Sequence, residues 1–242
     1  MYLYNKKSVK NHSYFKKQNI KPYISTIEFF KFLQKNISIN KNIIDIGCGN
    51  GSQLIYLRNI LKNKKKLMGI DINKDLILDA KKKSTTFKNI NFIKKDFKSI
   101  SNKNFNDYEG VISLQTLSFI QDYKDVIKFL KNSHFKFFAC SSLFWEGLID
   151  FKIKVNELFD NSPSRKIKNF TYYNIYSLNN YINTMKSIGF KKNIVKKFII
   201  KKPLQNKNKK KMGTYTIKNN KELIQISGPI LMSWYFILSK KN

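Results

Sequence analysis

The sequence predicts an α/β fold built on a parallel sheet, and three observations carry that prediction. From residue 42 onward, short apolar runs of strand length alternate with amphipathic, lysine-faced segments of helix length. The first apolar run passes into the first helical segment through a turn containing Gly47, Gly49 and Gly51. The chain has 242 residues, 42% of them hydrophobic, with 20 Phe and 13 Tyr, which is ample for a sizeable core and too apolar for disorder.

The elements follow in order. Strands are expected at 42–46, 67–71, 90–94, 110–114 and 135–141, with helices at 52–61, 74–83 and 122–131 between them. Asn73 and Gln121 stand where caps start the second and third of these helices. Ahead of this core, residues 1–40 form an aromatic, basic N-terminal arm that ends in a helix over 26–35. Residues 142–176 carry aromatics without clear period and read as an insert. A helix over 177–188 follows, closed by Gly189 in the C-cap position, and then a strand over 192–200. Residues 201–212 read as an exposed basic loop. A hairpin over 214–217 and 223–227 turns at Asn219 and Asn220, and 230–238 makes a last, largely buried strand. The main domain is therefore 41–242.

Composition excludes several classes. Two Cys in 242 residues rule out a disulfide-stapled scaffold and leave no CxxC metal site. The longest apolar run falls short of the roughly 20 residues of a membrane-spanning helix, and the start of the chain lacks the apolar region of a signal peptide, so a cytoplasmic location is expected. The formal charge is +32, from 47 Lys+Arg against 15 Asp+Glu. Only Arg58 and Arg165 are arginines, whereas nucleic-acid surfaces favour Arg for its bidentate contacts. Abundant Lys, Asn and Ile with scarce Ala point to A/T-rich codons, which explains much of the lysine without a partner.

The chemistry concentrates in three places. Residues 43–51 read IIDIGCGNG, a strand-to-helix turn where ligand atoms can approach main-chain N–H groups and the helix N-terminus favours a negative group. The spacing is G-x-G-x-G, not the G-x-G-x-x-G of dinucleotide sites, and no GxxxxGK[ST] phosphate loop occurs. Asp71 ends the second strand in LMGID, where a carboxylate can accept both hydroxyls of a ribose. Asp96 and Phe97 end the third strand in NFIKKDF, where they can meet an adenine amine and ring face. Ligands of open α/β sheets bind at the carboxyl ends of strands, where these features converge.

This pattern resembles the class I S-adenosylmethionine-dependent methyltransferases over about residues 40–200. The resemblance implies a Rossmann-like, doubly wound sheet of seven strands, the last antiparallel, with 230–238 in that place. It implies S-adenosyl-L-methionine as cofactor and S-adenosyl-L-homocysteine as product. By resemblance, Gly47, Gly49 and Gly51 hold the methionyl portion, Cys48 within the same loop is a further cofactor contact, and Asp45 braces the loop. Asp71 holds the ribose, Asp96 and Phe97 the adenine, and Ile72 is a further cofactor contact, while Leu114 and Gln115 of ISLQTLSFIQD stand beside the cofactor. Cys48 and Cys140 are also small buried fillers by type.

The acceptor side is narrowed mainly by exclusion. Ser113-Leu114-Gln115-Thr116 replaces the [DNS]-P-P-[YFW] of base-amino methyltransferases, and Ala139-Cys140-Ser141 does not suit pyrimidine C5 chemistry. No His/Cys/carboxylate cluster suggests a metal site. Glu146, just past the fifth strand, and His12 in the arm are the candidate catalytic groups, while His134 stands at the wrong end of its strand and reads as structural. Tyr14, Gln18 and Tyr23 are placed to close over the cofactor, and Tyr14, Trp145, Tyr172, Tyr173 and Trp234 to line an acceptor pocket. The expected reaction is methyl transfer to an O or N nucleophile of a small metabolite or sugar-type acceptor. An RNA acceptor, suggested by the run KNKKK at 207–211, and a non-catalytic binding protein of the same fold are the alternatives.

Overall fold

The computed structural model describes residues 15, 17, 21–61, 65–131, 133–156, 170–205 and 214–241. His12, Tyr14, Gln18 and the run at 207–211 lie outside the described residues. The chain runs α1 (Ile24–Asn36), β1 (Ile43–Ile46), α2 (Ser52–Leu61), β2 (Leu67–Asp71), α3 (Lys74–Lys83), β3 (Ile90–Lys94), β4 (Gly110–Leu114), α4 (Lys124–Leu130) and β5 (Phe137–Trp145). It continues with β6 (Lys154–Asn156), β7 (Phe170–Tyr172), β8 (Tyr176–Ser177), α5 (Leu178–Ser187), β9 (Lys192–Lys197), β10 (Thr214–Asn219), β11 (Glu222–Ser227), β12 (Ile230–Leu231) and β13 (Trp234–Lys240).

Seven strands lie in the order β3-β2-β1-β4-β5-β13-β9, and the two-residue β8 adds an eighth beside β5. Pairing is parallel throughout except at β13, which runs antiparallel to both neighbours. Side chains alternate between two cores. Ile44, Val111, Phe138 and Ile237 meet the aromatic residues of α4 and α5 on one face. Ile43, Ile112, Ala139 and Phe236 meet α1, α2 and α3 on the other. Helices on both faces make the sheet doubly wound, as the alternating pattern predicts.

Local chemistry explains the boundaries. The Asn73 side chain accepts the Leu76 N–H at 3.0 Å and caps α3. At α4 the capping oxygen belongs to Asp122, which accepts the Lys124 N–H at 2.9 Å, and not to Gln121. Gly189 takes φ +97° and closes α5 as expected.

Three expectations shift. The fifth strand runs four residues past 141, because Ser142–Trp145 gain a partner edge in β13 and β8. The hairpin turns at Asn220 and Lys221, with Asn220 at φ +51° and Asn219 still paired to Glu222. The run 230–238 is two strands: Ile230–Leu231 pairs with β11 in a separate three-stranded sheet, and the chain enters the main sheet at Trp234. One apolar run serves both sheets, so composition alone hides the break.

Candidate functional site

The carboxyl ends of β1, β2 and β4 meet at the glycine turn. Gly47, Gly49 and Gly51 all have positive φ, at +76°, +55° and +75°. At two of them space is as restrictive as the backbone: a Cβ on Gly47 would lie 2.2 Å from Thr116 Oγ1, and one on Gly51 2.5 Å from the Phe92 ring. The turn is fastened to β2, because the Gly47 and Cys48 N–H groups donate to the Ile70 carbonyl at 2.8 and 3.2 Å.

Asp71, and not Asp45, braces this turn. One Asp71 oxygen accepts the Gly49 N–H at 2.9 Å and the other the Asn73 N–H at 2.8 Å. Burial raises the Asp71 carboxyl above its ordinary range, and the backbone N–H groups of Asn73, Gly49 and Ile72 work against that rise. A carboxylate offers about four acceptor sites, so Asp71 keeps room for a hydroxyl donor beside these backbone N–H groups.

Asp45 is in the opposite condition. It is 1% exposed, and neither carboxylate oxygen has a hydrogen-bond partner among the described residues. Burial, reinforced by the charge of Asp71, pushes its carboxyl well above the usual range. A buried carboxylate with no donor fits a cationic group supplied from outside the chain. The bracing expected of Asp45 is therefore supplied by Asp71.

The remaining residues fall into place around this pair. Ile72, 37% exposed, follows Asp71 and offers an apolar surface beside the carboxylate. Asp96 spends one oxygen on the Lys98 N–H at 3.0 Å, and Phe97 turns into the core to pack edge-on against Phe129 at 6.4 Å. Leu114 is buried. Gln115 follows at φ +56°, a conformation that costs a non-glycine residue energy. It is held there by its own N–H on the Ser141 carbonyl at 2.7 Å and its side chain on Ser25 of α1 at 3.2 Å.

Cys48 is buried, and burial, then Asp71 and Asp45, raise its thiol well above the ordinary value. Cys140 is pushed up to about 12 by burial. Neither thiol is a nucleophile at neutral pH. His134 Nε2 sits 2.9 and 2.8 Å from the Phe105 and Tyr108 carbonyls, a structural role at the amino end of β5.

Glu146 is exposed, one residue past β5, but its carboxylate turns back to accept the Tyr235 hydroxyl at 3.2 Å. Tyr235 pairs with Ser142, and Ser141 pairs with Leu114, so the carboxylate returns to about the level of the cofactor-end loops. Trp145 braces its own turn, with its indole N–H on the Ile149 carbonyl and its ring against Phe151 at 5.3 Å. Tyr172 is half-buried and pairs edge-on with Phe170 at 5.7 Å. Tyr173 is buried with Leu143, Met232 and Trp234 in a third cluster at the same end of the sheet.

Three residues escaped the sequence reading. Thr116 places its hydroxyl between the Gly47 and Leu114 carbonyls at 3.3 and 3.2 Å. Phe15 lays its ring within 3.0 Å of where a Gly49 Cβ would stand. Tyr235 orients Glu146. None carries a local motif, because each role arises from contacts remote in sequence; only the position of Thr116, just past a strand end, hinted at its place.

Comparison with known proteins agrees with this geometry. Residues 37–134 match the model of a family described as a methyltransferase domain. A protein named "Putative methyltransferase 235L" of Invertebrate iridescent virus 6 is 36% identical over 99 residues, 40% of this chain and 34% of that one. The chain thus matches about a third of the length of that curated relative. The N-terminal domain of EvdMO1, solved with SAH and D-fucose, covers 92% of this chain and 85% of its own at 10% identity and TM-score 0.58. Magnesium protoporphyrin IX methyltransferase of Synechocystis PCC 6803 with bound SAH covers 90% and 82% at 12% identity and TM-score 0.52. The family match covers the glycine turn and the strand ends around it, and the two solved structures share the fold: over residues 37–134 the chain is similar to a methyltransferase domain, carried on the Rossmann-like methyltransferase fold.

Proposed function

We propose that the chain binds S-adenosylmethionine and transfers its methyl group to an O or N nucleophile of a small metabolite or sugar-type acceptor. The observation that carries the cofactor reading is Asp45, a buried carboxylate without a donor among the described residues, beside a closely packed glycine turn whose own N–H groups at Gly47, Cys48, Gly49 and Gly51 are already bonded within the chain. Its natural complement is the ammonium of the methionyl portion. In this reading Asp71 accepts ribose hydroxyls, Ile72 and Asp96 meet the adenine, and Leu114 with Gln115 flank the ligand. Bound S-adenosylmethionine supplies an already activated methyl group, so the chain's task is alignment and the removal of a proton from the acceptor.

Glu146 is the candidate for that proton. The Tyr235 hydroxyl holds one of its oxygens, leaving the other for the acceptor. Tyr173, which follows β7, and Met232, which follows β12, meet Leu143 of β5 and Trp234 of β13 in one cluster, which we take as the floor of an acceptor pocket, with Trp145 and Tyr172 at its rim. The printed descriptions of the two structural neighbours, a porphyrin enzyme and a domain crystallised with a sugar, agree with a small-molecule acceptor.

The test joins calorimetry to labelling. S-adenosylmethionine should bind the wild-type chain, and Asp71→Ala should weaken binding by about 1–3 kcal/mol, the cost of losing hydrogen bonds to a charged group. Unchanged affinity in a folded variant overturns the cofactor reading. With methyl-labelled S-adenosylmethionine in a cell extract, label should enter the small-molecule or glycan fraction, and label lost on RNase treatment would replace the acceptor reading with RNA. Glu146→Gln should lower turnover and leave cofactor affinity unchanged.

A further inference from the structure

The sheet of β10, β11 and β12 has two unlike faces. Its register sets Thr216 opposite Gln225 and Ser227 opposite Ile230 on one face, and on the other Tyr215 opposite Ile226, Ile226 opposite Leu231, and Ile217 opposite Ile224. The first face turns inward: Gln225 and Ser227 are buried, and Ile230 packs on the cluster of Leu143, Tyr173, Met232 and Trp234. The second face presents Tyr215, Ile217, Ile224, Ile226 and Leu231, with Asn219 and Glu222 at its hairpin end, and none of the first five packs on any of the three core clusters. Ile217 is 44% and Leu231 52% exposed. This apolar face springs from the end of β9 and returns at the start of β13, so it stands at the end of the main sheet where the candidate site lies.

Charge decides what such a face can meet. Residues 177–242 contain 15 Lys and one acid, Glu222, an imbalance sharper than the composition of the whole chain. Lys201 and Lys202 are exposed on the segment whose Leu204 bonds to the edge of β10, with its carbonyl accepting the Thr216 N–H at 3.0 Å. Lys218 and Lys221 are exposed at the hairpin tip. None of these four lies within ion-pair distance of an acid among the described residues. A second copy would set one strongly cationic surface against another. A nucleic-acid strand would find one aromatic ring and no arginine on a face that is otherwise aliphatic up to Asn219 and Glu222 at the hairpin end.

We propose that this face docks on an anionic lipid surface. Its aliphatic side chains enter the boundary between headgroups and acyl chains while the flanking lysines lie against the phosphates. The candidate site then opens toward the bilayer, which extends the acceptor class to amphiphilic molecules held there.

Flotation of the full chain with vesicles tests this without reference to activity. The chain should float with equimolar phosphatidylcholine–phosphatidylglycerol vesicles and not with pure phosphatidylcholine. Ile217→Ser with Leu231→Ser should lower partitioning roughly tenfold or more at unchanged melting temperature. Lys201→Gln with Lys202→Gln should lower it several-fold and flatten its salt dependence. Four results overturn the proposal. They are absence of flotation, partitioning unaltered by the serine pair, a fall in melting temperature showing that the chain itself covers the face, and concentration-dependent dimerisation abolished by the serine pair.

Discussion

Asp45 shows how one residue can be costly alone and useful in company. Its folded carboxyl titrates well above the unfolded value, so the stability it confers is present below about pH 4 and is lost as pH rises through the raised value. At neutral pH without ligand it is either protonated or an uncompensated buried charge. Asp45→Asn should therefore raise the melting temperature of the ligand-free chain at neutral pH, with the gain vanishing in acid, while weakening S-adenosylmethionine binding tenfold or more. Thermal melts across pH and calorimetry check the two arms, and a stability loss at neutral pH would show that Asp45 has a partner in the folded chain. Binding of a cation beside Asp45 should also release a proton in the pH range where Asp45 is still protonated. Titrations in buffers of differing ionisation enthalpy count it, and affinity should rise with pH across that range.

At the scale of the element, two glycines with positive φ separate backbone strain from steric fit. Gly189 has open space where a Cβ would go, while Gly51 would drive one into Phe92 and Ala80. Gly189→Ala should cost about 1–2 kcal/mol from its left-handed backbone alone. Gly51→Ala should add overpacking of about 1–3 kcal/mol and disturb the turn, so that urea denaturation ranks the two clearly. Equal costs would mean that the Phe92 ring yields freely. The parallel strands and helices were legible because each binds its face by a period the residues display, and the glycine turn because its residue types are chemically distinctive. The ends of β5 and β13 were not. Whether Ser142 continues a strand depends on Tyr235, ninety-three positions away, which pairs with it. The clip that holds the insert, with the Ser118 and Ser142 hydroxyls 2.7 Å apart and the Asn174 N–H on the Ser118 carbonyl at 2.8 Å, has no local pattern at all.

For the whole molecule the dominant long-range term is self-repulsion. The formal charge is +32, and the ion pairs among the described residues lie at or near the surface, where each is worth little. Moderate sodium chloride should raise the melting temperature, because screening relieves repulsion more than it weakens those pairs. A fall with salt would mean that the pairs dominate.

The place of β13 has a consequence for biosynthesis. Residues 234–240 fill the gap between β5 and β9, two strands made well before them. A nascent chain that has emerged only as far as residue 233 therefore carries two unpaired inner edges and an open core. Those edges invite pairing with another chain until residues 234–240 arrive. Cooperative closure of the sheet thus waits for residues 234–240, and a chain cut off at residue 233 should aggregate where the chain that includes β13 folds.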